Sequence, residues 1–283
     1  MTWWCSARGL PWEWSWRAYP GAWLLAFGML AAHSLSLRRL RRRVRASSAQ
    51  GKLRARFAIG AAVVWLAVDW PLGLLGTGYL LSAHMVQHIL LTLVAAPLLL
   101  TGTPPELARH VLGTGLRWRF ARALTRPLPA ILLYNGVLIL TFVPSVVDAA
   151  MPSQLGAFLV EMVWLVSALV MWSPVLAPLP ELRTLSGLSA MAYLFIQSLA
   201  PTIPASFLTF GRFPLYGVYE LAPRVWTGLS ATSDHRIAGL IMKLGGGLVL
   251  WGYIAWIFFA THDAERRLSR PATDVRSGGI DAA

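Results

Sequence analysis

Ser82-Ala83-His84-Met85-Val86-Gln87-His88-Ile89-Leu90-Leu91 places two histidines four residues apart at the head of a long apolar run. Residues i and i+4 share a helix face, so both imidazoles point the same way. The run continues through Leu98-Leu99-Leu100 and breaks at Thr101-Gly102-Thr103-Pro104-Pro105, which is long enough to cross a bilayer. Ionisable groups inside a span are costly and usually face a protein interior. The pair therefore reads as candidate ligands for a metal or haem, or else as two histidines hydrogen-bonding between helices.

Composition points the same way. Of 283 residues, 56% are hydrophobic and 13% charged, with a mean hydropathy of +0.57, the balance of an integral membrane protein. Seven apolar stretches of span length occur at about 20–37, 57–75, 79–101, 128–145, 154–173, 187–209 and 238–260. Barrel-type alternation is absent, so an all-α, polytopic bundle of seven transmembrane helices is expected. Its parts would be a Trp-rich outer interfacial segment (1–19), the membrane domain (20–260) and a cytoplasmic tail without ordered structure (261–283).

A net charge of +13 would suggest nucleic acid in a soluble chain, but its distribution argues otherwise. With the N-terminus outside, cytoplasmic segments hold nine Lys/Arg in 38–56, five in 103–126, Arg183 and four in 262–283. The outer side holds Arg8, Arg17, Arg212, Arg224 and Arg236, and Lys243 falls within a span. The positive-inside rule then predicts an N-out, C-in orientation, with Arg38–Arg45 anchoring the chain beside anionic membrane lipid. No aromatic-basic stacking module accompanies these arginines, so nucleic acid is not expected as a partner.

No basic n-region precedes the first apolar stretch; arginines follow it, as in a retained N-out helix rather than a cleaved signal. Trp3, Trp4, Trp12, Trp14 and Trp16 read as an interfacial belt or outer cap. Cys5 is the only cysteine, so a disulfide framework and a CxxC thiol site are both excluded within the chain.

Helical rise adds a depth argument. At about 1.5 Å per residue, His84 and His88 lie roughly 7 to 14 Å below the outer boundary, Glu161 about 10 Å and Met242 about 6 to 12 Å. Asp69 sits near the outer end of its span, and Asp234 and His235 at the mouth of the seventh. Imidazole, carboxylate and thioether at one level form a set compatible with copper, thioether favouring Cu(I). Met85 and Met242 could equally fill gaps in packing. Lys243 lies at a depth where an ion pair with Glu161 would neutralise both charges. His33, His110 and His262 fall outside the layer and read as structural or solvated. The prolines and glycines of 201–217 predict a broken end to the sixth span and a structured outer loop able to cap the site or dock a partner.

The Ser82–Leu91 run, with Ala96-Pro97-Leu98-Leu99-Leu100 and Thr101-Gly102-Thr103-Pro104, resembles the caa3-type CtaG family of seven-span cytochrome c oxidase assembly proteins. Met171-Trp172-Ser173-Pro174-Val175-Leu176 and Ser233-Asp234-His235-Arg236-Ile237-Ala238-Gly239-Leu240-Ile241-Met242 are similar to the same family. The resemblance implies maturation of a haem-copper oxidase in the bacterial inner membrane through handling of copper, without enzymatic activity. The implied partners are oxidase subunits and a periplasmic copper chaperone. It matches His84 and His88 to the family's paired histidines, and Asp234 and Met242 to its acidic and methionine positions. The chain departs from the family pattern at Ala157 and Glu161, where relatives carry histidines, and at Lys243, where they carry an aromatic residue. A b-type haem protein and a copper or small-solute transporter are the alternative readings.

Overall fold

A computed structural model describes residues 2–41 and 49–268. Arg42 to Arg45 and the tail beyond 268 lie outside the described residues, and with them part of the expected arginine anchor and most of the expected tail. The described residues form helices and no strands.

Prolines and hydroxyl side chains punctuate the chain as helix chemistry requires. The first helix, α1, is Pro20–Arg41, and α2 is Ala49–Val68. Asp69-Trp70-Pro71 stops α2, since proline lacks the N–H that would continue it, and α3 (Leu72–Gly78) resumes bent by 46°. Helix α4 runs as Leu81–Ile89, a π-helical segment Leu90–Ala95, and Ala96–Gly102. Three helices then carry proline in their first turn, where a missing N–H leaves no donor unpaired: α5 (Pro105–Leu112), α7 (Pro127–Thr141) and α8 (Pro144–Ala150). Between them α6 (Leu116–Leu124) turns by 79° into α7.

Ser153 caps α9 (Gln154–Leu176), its hydroxyl accepting the Gly156 N–H at 3.2 Å. Ser186 and Ser189 form a capping box at the start of α10 (Gly187–Leu199), and α11 (Thr202–Phe210) follows past Pro201. After the short α12 (Gly217–Glu220), Ser230 caps α13, which comprises Ala231–Leu240, a π-helical segment Ile241–Gly245, and Gly246–Leu268.

Five stretches are long and apolar enough to cross a membrane (α1, α4, α9, α10 with α11, and α13), or seven if each bent pair, α2–α3 and α6–α7, is one span. The expected ranges shift where side chains intervene. The second stretch breaks at Pro71, the fourth ends at Thr141 ahead of Pro144, the sixth breaks before Thr202, and the seventh begins at Ala231 rather than 238. At its centre α4 packs against α2, α9 and α13. Close approach is built in at Gly239, where a Cβ would come within 2.8 Å of the Ala205 carbonyl of α11.

The N-terminal segment is not purely interfacial. Trp14 and Trp16 are 60% and 63% exposed, but Trp4 is 1% exposed and reaches between helices. The Trp3 and Trp4 amides donate to Gln154 Oε1, at 2.8 and 3.2 Å, which pins the strap to the start of α9. Behind it the buried Cys5 donates to the Val68 carbonyl at 3.3 Å, and burial holds its thiol well above the usual range.

Candidate metal centre at the tryptophan-rich end

His84 and His88 occupy one face of α4 and turn toward α9. Each ring centroid lies 4.8 Å from that of Trp164. Phe142 stands 5.5 Å from His88, stacked on Trp164 at 5.8 Å, and Tyr219 stands 5.9 Å from His84. The box is fixed from outside. Trp164 Nε1 donates to Thr141 Oγ1 at 2.8 Å, Tyr219 Oη to the Gly76 carbonyl at 2.6 Å, and Tyr216 Oη to the Phe142 carbonyl at 3.0 Å. Tyr216 and Tyr219 come from the segment after α11, so the Pro- and Gly-rich loop does cap the layer.

Inside this box the imidazoles are 1% and 4% exposed, and neither nitrogen of His84 nor Nε2 of His88 has a hydrogen-bond partner. Buried polar atoms are rarely left so, because burial without a partner costs roughly 1–3 kcal/mol each. Each neutral imidazole offers one lone-pair nitrogen and carries one N–H, so the pair can present two nitrogen ligands in an apolar shell, a chemistry that suits a soft cation.

The carboxylates expected beside them are occupied elsewhere. Asp234 accepts from the Leu81 and Ser82 amides, at 2.7 and 3.2 Å, and from the Ser82 hydroxyl. It thus caps α4 from a neighbouring helix, completing orphan donors at the positive end of the helix dipole. Glu161 accepts from Trp4 Nε1 at 2.8 Å and from Gln87 Nε2 at 3.2 Å. Gln87 also donates to the Ala67 carbonyl at 2.8 Å, so one carboxamide ties α4 to both α2 and α9. Gly76 makes room for it; a Cβ there would overlap the Gln87 side-chain oxygen. His235 donates through Nδ1 to the Ala231 carbonyl at 2.8 Å and accepts the Tyr216 amide on Nε2 at 3.4 Å.

Two expectations are corrected here. The Glu161–Lys243 ion pair does not form: Glu161 is held by neutral donors on one side of α4, while Lys243 donates to Thr202 Oγ1 of α11. The six-residue ligand layer also does not close on one point. Among the described residues no three His, Cys, Asp or Glu side chains converge closely enough for a metal ion. Asp234, Glu161 and Gln87 instead belong to a hydrogen-bond network that joins α2, α4, α9 and α13.

Met242 shares a cavity with His88. It is 3% exposed, and the cavity, also lined by Tyr134, Gln197 and Lys243, measures about 20 Å³, enough for about one water. Met242 lies in the π-helical segment of α13, and another π segment begins two residues after His88. In α4 the Ala96 amide reaches back to the Leu91 carbonyl, bypassing that of Thr92, and Trp172 Nε1 fills the vacancy at 2.8 Å. Such bulges turn side chains off the regular helix face and are frequent at functional sites.

Sequence reasoning missed Trp164, Phe142, Tyr219, Gln87 and the inward role of Trp4. Trp164 carries a local signal, three residues from Glu161 on the same face of α9. The others arrive from distant segments.

A model of the family described as cytochrome c oxidase caa3 assembly factor (Caa3_CtaG) matches residues 31–263 of this chain. No curated protein and no solved structure matches it. The chain belongs to the Caa3_CtaG family.

Proposed function

We propose that this cytochrome c oxidase caa3 assembly factor binds copper, as Cu(I), between His84 and His88 with the Met242 thioether in reach, and passes it to an oxidase subunit. The copper is cargo, and the chain carries no catalytic role. In this reading the bundle spans a bacterial cell membrane seven times with its N-terminus outside, which sets the site just below the outer surface, where a periplasmic copper chaperone could supply it.

One observation carries the reading: both ring nitrogens of His84 and Nε2 of His88 are buried without a hydrogen-bond partner. Two imidazoles and a thioether in an apolar pocket favour Cu(I), because low coordination numbers and soft donors suit it. Asp234 and Glu161 serve the site indirectly, one fixing the start of α4 and the other its Gln87 face. The space beside His88, about 20 Å³, is far below what a porphyrin needs and weighs against the haem alternative.

Cu(I) titration of the purified full chain against a competing chelator tests this. His84→Leu and His88→Leu should each lower affinity by more than about 100-fold, beyond the 10–100-fold typical of an outer-shell change. Cells carrying either variant should lose oxidase activity that added copper partly restores. Unchanged copper affinity in both variants would end the proposal. Reporter fusions at Pro152 and after Leu268 should report opposite sides of the membrane.

A further inference from the structure

At the other end of α4, away from the histidines, lies an open groove of about 520 Å³. It is lined by Met29, Phe57, Leu100 and Leu169 of the bundle on one side, and by Leu112 and Ala121 of α5 and α6 on the other. The groove marks a seam between two hydrophobic clusters. One is the main core; the other is a small cap of Ala108, Ala177, Leu179 and Leu182 with Leu112 and Trp118 against it. The groove is open to its surroundings and bordered almost wholly by carbon, which fits an apolar occupant.

Helix α6 says what kind. It makes 79° with α7, so if α7 crosses the bilayer α6 lies nearly in the membrane plane. None of its residues is buried. Leu116 and Phe120, one turn apart, are 79% and 65% exposed, while Arg117, Arg119 and Arg122 are exposed around them and Ala121 faces the groove. This is the composition of a helix lying in the headgroup region, apolar residues toward the acyl chains and arginines at the phosphates. Arg109 is not part of the set, since it pairs with Glu181 at 2.9 Å.

We propose that an anionic phospholipid is a bound component of this protein, its acyl chain in the groove beneath α5 and α6 and its phosphate at Arg117 and Arg122, the two arginines of α6 that flank the groove-facing Ala121. The site would tie the cap to the bundle through lipid rather than through side-chain packing, and it is independent of the copper reading. Planar guanidinium groups match phosphate oxygens in pairs, so arginines flanking the groove select charge as well as chain.

Native mass spectrometry of the full chain in mild detergent, incubated with phosphatidylglycerol or phosphatidylcholine of identical chains, tests it. The protein should retain phosphatidylglycerol at least about fivefold more strongly, the effect expected from one arginine near a charged headgroup. Arg117→Gln/Arg122→Gln should abolish that preference while some phosphatidylcholine stays bound. Ala121→Phe, which fills the groove, should reduce both lipids; Ala108→Leu serves the same purpose if the first variant is not monodisperse. Equal retention of the two lipids by the native chain overturns the proposal. So does a preference that survives in the double arginine variant, or displacement of the lipid by millimolar inorganic phosphate alone. Binding of polyglutamate in place of phosphatidylglycerol would mark α6 as a protein-docking surface and also overturn it.

Discussion

At the tryptophan-rich end of the bundle, Asp234, Glu161 and His235 are buried and each is satisfied by donors or acceptors from another segment. At the arginine-rich end, Arg117, Arg119, Arg122 and Arg126 are all exposed, and the interior beside them is an apolar groove. One end turns its polarity inward, and the buried groups it leaves unpaired include the two imidazoles and the Asp69 carboxylate; the other turns its charge outward around an apolar groove. The difference separates two ways of holding a ligand. Unpaired donors inside a dense box fit a small soft cation, whereas unfilled volume beneath a charged rim fits a chain with a headgroup. It also identifies which buried charges serve structure, and three variants test that division.

Asp234→Ala should have the largest effect on stability. It removes the acceptor for two backbone amides and a hydroxyl at the start of α4 and leaves those donors buried. Bonds to a charged group are worth about 1.5–3 kcal/mol, so a loss of about 3 kcal/mol is expected in thermal unfolding of the full chain in detergent. Asp234→Asn keeps an acceptor and should lose about half of that. If Asp234→Ala instead unfolds like the native chain but binds copper more weakly, Asp234 is a ligand and the tryptophan-rich end has been misdivided.

The sequence made most of the helical order legible, because span length and proline position are local properties. Pro105, Pro127 and Pro144 each open a helix, and Pro71 ends one, as their chemistry requires. That His84 and His88 share one helix face was legible too, since spacing follows from helix geometry alone. Rotation was not. Whether Glu161 met Lys243 or Gln87 depends on which faces of α9 and α13 turn toward α4, and equal depth is silent on that. The π segments are likewise hidden: each moves Met242 or the residues after His88 by a fraction of a turn, without any composition signature beyond Pro97. Trp4 looked like its interfacial neighbours, yet its indole N–H is what Glu161 needed.

A smaller effect should appear at Cys5, where burial is the dominant cause of a thiol held well above its usual range, with Glu161 and Asp69 adding to it. A group that resists ionisation when folded contributes stability that is complete below its unfolded pKa, about 8.5, and is lost as pH rises toward the folded value. At pH 9.5 the native chain should therefore have lost about 1.4 kcal/mol more than Cys5→Ala, relative to each protein at pH 7. Parallel pH curves for the two proteins would mean that the strap opens enough to wet the thiol, and that this end is looser than its hydrogen bonds imply.

The smallest effect expected is between Glu161 and Lys243. Both are ionisable groups in candidate spans at similar depth, and together they would look like a neutralising pair. Their partners are separate, however: Trp4 and Gln87 for the carboxylate, Thr202 for the ammonium. Glu161 is fully buried, while Lys243 is exposed at the mouth of the cavity beside Met242. Glu161→Gln leaves a neutral acceptor in place for both donors, and Lys243→Met removes a charge from an exposed position. Groups that share no partner contribute independently, so the double variant should differ from the sum of the singles by no more than about 0.5 kcal/mol in thermal unfolding. A coupling above about 1 kcal/mol would mean that the two charges do meet across α4. The tryptophan-rich end would then neutralise charge by ion pairing, and Gln87 would be released to approach the histidines.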